Sequence, residues 1–107
     1  MASNIDQICI IDFSRLALPQ TIPLASFNPQ ITQMSIEVLS TSTGAVTFKG
    51  NVGCVNASAA PPINKAASDV ETIVAGTTEL FIASQNTVLD GTVTIAAGAL
   101  GYLKLKF

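Results

Sequence analysis

The chain has 107 residues, with only five basic and seven acidic side chains, no histidine and no tryptophan, while apolar residues make up 49%. Ordinary soluble domains carry about a quarter charged residues, so this composition suits a protein that packs against other subunits. The net charge of −2 and the scattered basic residues exclude nucleic acid as an expected partner, because phosphate binding requires clustered Lys and Arg.

The sequence also bears on membrane insertion, on secretion and on the state of the two cysteines. No run of about 18 apolar residues occurs, so we expect no transmembrane helix and no membrane partner. The first residues lack the basic start of a signal peptide, and we expect synthesis in a cytoplasm. Cys9 and Cys54 form neither a CxxC nor a Cys/His cluster, which excludes the usual zinc site. We expect them to be small buried apolar groups, and a disulfide between them is left open.

The N-terminal third contains one strand and an arm. Ile5 to Phe13 is apolar on both faces at its centre, which predicts a covered central strand or a strand clamped between subunits. Residues 14–30 contain three nearly evenly spaced prolines, which exclude a regular helix and confine any strand there to an edge. We expect an extended proline-containing arm that lies across a hydrophobic surface, either of its own core or of a neighbour.

The middle third shows strand alternation followed by loops. Thr32 to Ser40 and Val46 to Lys49 each alternate apolar and polar residues, and together they predict a hairpin. The inward positions are Met34, Ile36, Val38, Val46 and Phe48. Asn56 to Pro62 is a loop of small residues, and we expect one or two helical turns within Ile63 to Val70.

The C-terminal third is more regular. Strands are predicted near Glu71–Val74, Glu79–Ala83, Thr92–Ala96 and Leu100–Phe107, with a turn at Asp90-Gly91. Short strands at even spacing with little helix predict a single all-β domain over residues 1–107. The expected fold is an antiparallel β-sandwich or jelly-roll-like barrel of about seven to eight strands.

The sequence offers little for catalysis. Histidine, the most common general acid or base, is absent. The carboxylates are spread over predicted strands and turns, and Asp69 and Glu71, which would share one face of a strand, are expected to be solvated groups or turn caps. Neither a phosphate-binding glycine motif nor a calcium-binding loop occurs. We therefore expect no enzyme activity, no cofactor and no metal.

Three segments carry a resemblance to a known class of protein. They are the Ser/Thr-rich turn Ser40-Thr-Ser-Thr-Gly44, the stretch Thr78-Glu-Leu-Phe-Ile82, and the closing run from Gly91 to Phe107. In these segments the chain resembles small all-β virion proteins of bacteriophages, namely capsid decoration (cement) proteins and minor capsid subunits. The resemblance implies a homo-oligomer, for example a trimer, that is located in the virion and stabilises the shell by binding the major capsid protein or other virion subunits.

The contact surface is expected on the first strand and the arm, which carry the apolar side chains Ile5, Ile8, Ile10, Phe13, Leu16, Leu18, Ile22, Leu24 and Phe27. An alternative is a carbohydrate- or receptor-binding β-sandwich module of a phage fibre or adhesin, but the long loop offers only small residues. A pilus-like subunit that exchanges strands is a third interpretation, and it would normally carry a signal peptide.

Overall fold

The computed structural model describes residues 8–27, 30–84 and 88–107, which form ten β-strands and two single-turn 3-10 helices. In chain order the strands are β1 (Ile8–Asp12), β2 (Gln20–Pro23), β3 (Gln33–Val38), β4 (Val46–Gly50), β5 (Cys54–Asn56), β6 (Ile63–Lys65), β7 (Val70–Ile73), β8 (Thr77–Ala83), β9 (Gly91–Ile95) and β10 (Gly101–Lys106). The 3-10 helices are η1 (Phe13–Arg15) and η2 (Leu24–Ser26).

The strands form two antiparallel sheets that pack as a sandwich. The six-stranded sheet has the order β1-β10-β3-β8-β5-β6, and the four-stranded sheet has the order β2-β9-β4-β7. Apart from the β5–β6 hairpin, successive strands alternate between the two sheets, so β1-β10-β3-β8 faces β2-β9-β4-β7 as in an eight-stranded jelly roll. The all-β sandwich is therefore confirmed, and the β5–β6 hairpin raises the count to ten strands.

The core lies between the sheets and follows the predicted alternation. The inward side chains of β3 and β4 are buried, as are Leu103 and Leu105 of β10. Phe48 and Phe81 face each other across the two sheets with ring centroids 4.9 Å apart, a favourable tilted arrangement.

Two glycines at the starts of consecutive strands have the same unusual backbone conformation. Gly91 and Gly101 open β9 and β10 with φ of +153° and +151°, values that side-chain-bearing L-residues rarely adopt. A Cβ at Gly91 would overlap the carbonyl oxygen of Lys49, and one at Gly101 would overlap that of Glu37. Glycine at these positions lets the two strands approach their neighbours closely.

Two local predictions are wrong, and one of the two alternatives for the first strand is excluded. Thr32–Ser40 and Val46–Lys49 do not form a hairpin, because β3 and β4 belong to different sheets. Residues within Ile63 to Val70 contain no helical turn, since β6 and β7 pair with β5 and β4 instead. Of the two alternatives for the first strand, the covered central strand is excluded, because β1 is the outer strand of the six-stranded sheet among the described residues. A strand clamped between subunits stays a prediction. An outer strand with an apolar outer face has the same two-sided pattern as a buried one, so the pattern alone does not separate them.

The proline-containing arm becomes part of the sandwich. Its only strand among the described residues, β2, pairs antiparallel with β9 at the edge of the four-stranded sheet. Ile22 and Leu24 are buried in the core. Of the two surfaces left open by the sequence, this stretch lies on the core of its own chain.

Candidate interaction surface

The predicted contact residues divide into an exposed pair and an inward group. Ile8 and Ile10 are each 59% exposed. The inward group consists of the buried Phe13, Ile22 and Leu24 and of Leu16, Leu18 and Phe27, which pack against the core. Ile5 lies outside the described residues. Ile8 and Ile10 are thus the described members of the set that offer most of their apolar surface to a partner.

The alternation of β1 explains why these two side chains face outward. β1 pairs antiparallel with β10, with Ile8 opposite Lys106 and Ile10 opposite Lys104. Successive side chains point to opposite faces of a sheet, so Cys9 and Ile11 pack against the core while Ile8 and Ile10 lie on the outer face.

The backbone of β1 presents hydrogen-bonding groups at the same edge. The amide of Leu39 donates to the carbonyl of Leu100 at 2.9 Å, which fixes the phase of the β3–β10 ladder. The even-numbered residues of β10 therefore bond to β3, and the odd-numbered residues bond to β1. It follows from the β1–β10 register that the N–H and C=O groups of Ile8, Ile10 and Asp12 point away from β10, toward an edge that no strand of the described residues pairs with. We call this the open edge.

The outer face beside β1 is a shallow surface and not a deep pocket. A depression of about 180 Å³ is lined by Ile8, Gln33, Ser35, Lys104, Leu105 and Lys106. Binding sites for small molecules usually have volumes of roughly 300–1,000 Å³. The geometry is therefore better suited to an extended protein surface than to a small ligand.

One carboxylate lies at the end of this edge. Asp12 accepts hydrogen bonds from the Ser14 backbone amide at 2.9 Å and from the Ser14 hydroxyl at 2.8 Å. The amide hydrogen bond and then the hydroxyl hydrogen bond hold the pKa of Asp12 below its ordinary value. The Asp12 carboxylate is therefore negatively charged near neutral pH, and the nearby Arg15 guanidinium also favours its charged form.

A polar network closes the opposite end of the six-stranded sheet. The side chain of Asn56 is buried, and its Nδ2 donates to Glu71 Oε1 at 3.0 Å and to Glu79 Oε1 at 3.1 Å. Lys65 Nζ lies 3.4 Å from Glu71 Oε2. Because Glu71 is on β7 and the other three residues are on β5, β6 and β8, the network joins the two sheets. We call these four residues the polar corner.

The polar corner differs from the acidic pair that the sequence suggested. Asp69 accepts a hydrogen bond from the amide of Ala66 at 3.0 Å, which confirms its expected role as a turn cap. Glu71 instead accepts a hydrogen bond from Asn56, as does Glu79, and no local sequence pattern reveals that these three residues lie together. Among the described residues no group of three His, Cys, Asp or Glu side chains could hold a metal ion.

The two cysteines are free and distant. Cys9 is on β1 and Cys54 on β5, four strand spacings apart in the same sheet, which corresponds to roughly 19 Å. The disulfide that the sequence left open is therefore excluded within one chain. Burial raises the pKa of the Cys54 thiol, a change favouring its unreactive protonated form.

Comparison with known proteins gives no assignment. No family model, no curated protein and no solved structure matches the chain. In the part of the chain that the structure describes, no helix is long and apolar enough to span a membrane. The functional argument accordingly depends on the fold and on the surface of the chain.

Proposed function

We propose that this chain is a non-enzymatic structural subunit that associates with copies of itself and stabilises a bacteriophage virion shell, as a capsid decoration (cement) protein or a minor capsid protein. The observation that carries the proposal is the scarcity of charge on the surface. An accessible area of 6036 Å² carries only five basic and seven acidic residues, less than half the number in a domain of ordinary composition.

A surface with few charges lowers the cost of forming contacts. Burying a charge costs several kcal/mol unless it is well paired, whereas apolar burial contributes roughly 25 cal/mol per Å². A contact of a few hundred Å² therefore contributes several kcal/mol before the entropy of association is subtracted. Repeated around a symmetric shell, modest contacts of this kind hold a lattice together.

Exposed apolar side chains supply such contacts. Large hydrophobic residues with more than a third of their surface exposed are Ile8, Ile10, Val52, Ile63, Val70, Val74 and Leu100. Single exposed residues are normal in monomers, but Ile8 and Ile10 are neighbours on one face of one strand. This pair of exposed isoleucines favours association of the chain over a monomeric state.

The fold supports a virion role by analogy alone. Jelly rolls occur in viral capsid proteins and also in lectins. Sugar-binding sites usually present aromatic side chains on exposed loops, and here Phe13, Phe48 and Phe81 are buried while Phe27, Tyr102 and Phe107 are partly covered. The carbohydrate- or receptor-binding module therefore ranks below the structural subunit.

The first test is the molar mass of the purified chain, measured by light scattering after size exclusion over a hundredfold range of concentration. We expect a defined multiple of the 11.1 kDa chain mass. A monomer at every concentration would contradict self-association, and specific hits on a glycan array would then favour the binding module. A matched test for the shell is cosedimentation of the protein with capsids that lack it.

A further inference from the structure

We propose that β1 pairs antiparallel with β1 of a second copy about a two-fold axis at Ile10, which joins the two six-stranded sheets into one continuous sheet. This inference rests on the self-association proposed above and names the surface and the register that perform it. The occupant of the open edge is thus a second copy of this chain.

The four outer strands of the sandwich differ in how well they are protected from pairing with another chain. β2 ends in Pro23, β6 has only three residues and follows two prolines, and β7 carries Glu71 of the polar corner. Prolines, short length and charges are the usual means by which proteins prevent their outer strands from pairing with other chains. β1 has five residues, the most of the four, and no proline. Its one charged residue, Asp12, lies at the end of the strand and is hydrogen-bonded to Ser14, and its exposed apolar side chains are Ile8 and Ile10. It is the least protected of the four.

The hydrogen-bond register of β1 is compatible with this pairing. Among the described residues, β10 is the one strand that pairs with β1. With a two-fold axis at Ile10, Ile10 lies opposite Ile10 of the second copy, and Ile8 lies opposite Asp12. Because the N–H and C=O groups of these three residues all face the open edge, each opposed pair exchanges two hydrogen bonds. This register uses every outward-facing backbone group of β1.

The side chains on the outer face are complementary in this register. The two Ile10 side chains meet at the centre, which is a favourable apolar cross-strand pair. Asp12 lies opposite Ile8 of the second copy. On its other side, that Ile8 lies opposite Lys106 of β10 in its own chain. Each negative end of β1 therefore approaches the basic end of the other copy. A parallel arrangement in register would instead place Asp12 beside Asp12, which is unfavourable.

Cysteine cross-linking tests the register directly. Ile10→Cys and Ile8→Cys are introduced separately in a Cys9→Ala/Cys54→Ala background, and the two positions match because both are 59% exposed on the same face. Opposed residues of a hydrogen-bonded pair have Cα atoms about 5.5 Å apart, within the range for a disulfide. The two copies of residue 8 lie four residues apart along the strands, roughly 13 Å.

We expect copper-phenanthroline oxidation of the two thiols to convert the Ile10→Cys chain to a covalent dimer about tenfold more than the Ile8→Cys chain, because only the first pair satisfies disulfide geometry. A mixture of Ile8→Cys and Asp12→Cys chains should cross-link with each other. Equal cross-linking of both single variants, or preferential cross-linking of Ile8→Cys, would overturn the proposed register.

Light scattering of wild-type and Ile10→Lys chains separates failure of this inference from failure of the proposed function. Two lysines at the axis repel each other, so we expect the dissociation constant to rise at least about tenfold. An oligomer that persists unchanged in Ile10→Lys would refute the β1 interface and leave self-association intact. A wild-type chain that is monomeric throughout would refute both. This measurement decides the matter even if a cysteine variant fails to fold.

Discussion

The two ends of the six-stranded sheet differ in how their polar groups are arranged. At the β6 end, Asn56 and Lys65 bind the carboxylates of Glu71 and Glu79, so the polar corner is satisfied within one chain and ties the sheet to its partner. At the β1 end, Ile8 and Ile10 are mostly exposed, and no strand of the described residues pairs with the outward-facing backbone groups. The polar groups of one end are therefore satisfied within the chain, whereas those of the other end are the ones that the proposed pairing with a second copy would satisfy.

The largest effect on stability is expected from Asn56→Asp. This change keeps the size of the side chain but replaces the donor to both Glu71 and Glu79 with a third carboxylate at a buried position. An uncompensated charge in such a place costs about 3 kcal/mol or more. Urea denaturation should reveal a loss of that size in the free energy of unfolding at pH 7, with a much smaller loss where carboxyl groups are protonated.

The matched control for this change is Asn64→Asp. Asn64 is an exposed asparagine on the adjacent β6, and surface substitutions usually alter stability by less than about 0.5 kcal/mol. Equal losses in the two variants would mean that the polar corner contributes no specific stability, and the contrast between the two ends would disappear.

A smaller effect is expected from Lys65→Met at the same corner. The lysine and Glu71 side chains are 21% and 24% exposed, so their ion pair is only partly shielded from water. We expect a loss of about 1 kcal/mol that becomes smaller at high salt. A double-mutant cycle with Glu71→Gln isolates the interaction, and a coupling energy indistinguishable from zero would show that Asn56 alone holds the corner.

The open end should tolerate charge in the isolated subunit. Ile10→Lys places a lysine on a residue that is 59% exposed, and we expect the free energy of unfolding of dilute monomer to change by less than about 0.5 kcal/mol. Ile11→Lys, one residue along the strand and packed against the core, should be strongly destabilising. If Ile10→Lys destabilised the monomer equally, Ile10 would belong to the core and not to an available edge.

The sequence predicted side-chain direction better than strand pairing. Period-two alternation identified the inward faces of β3 and β4, because direction depends only on neighbouring residues. The pairing of β3 with β8 and β10, and of β4 with β7 and β9, depends on contacts far apart in the chain. The alternation carries no information about which sheet a strand enters, so the hairpin prediction was wrong.

The candidate surface was predicted only in part, because an apolar pattern does not show which residues turn toward the core. Apolar residues on both faces of β1 predicted a covered central strand or a strand clamped between subunits, and Ile8 and Ile10 lie on its exposed outer face. The arm residues Ile22 and Leu24 have the same character but turn into the core, and proline spacing does not specify direction. The polar corner has no local signal, because Asn56 and Glu71 lie on different sheets.

Thiol reactivity should distinguish the two ends through their cysteines. Cys54 is 3% exposed and its pKa is raised by burial, so a thiol reagent should modify it at least about tenfold more slowly than the partly exposed Cys9. Cys9 lies in β1, and pairing with a second copy would place Ile11 of that copy opposite it. Its rate of modification should therefore fall as the protein is concentrated, while the Cys54 rate stays constant.

Cys54→Ala and Cys9→Ala chains assign the two rates. A Cys9 rate that is independent of concentration in a chain that demonstrably associates would place the interface away from β1.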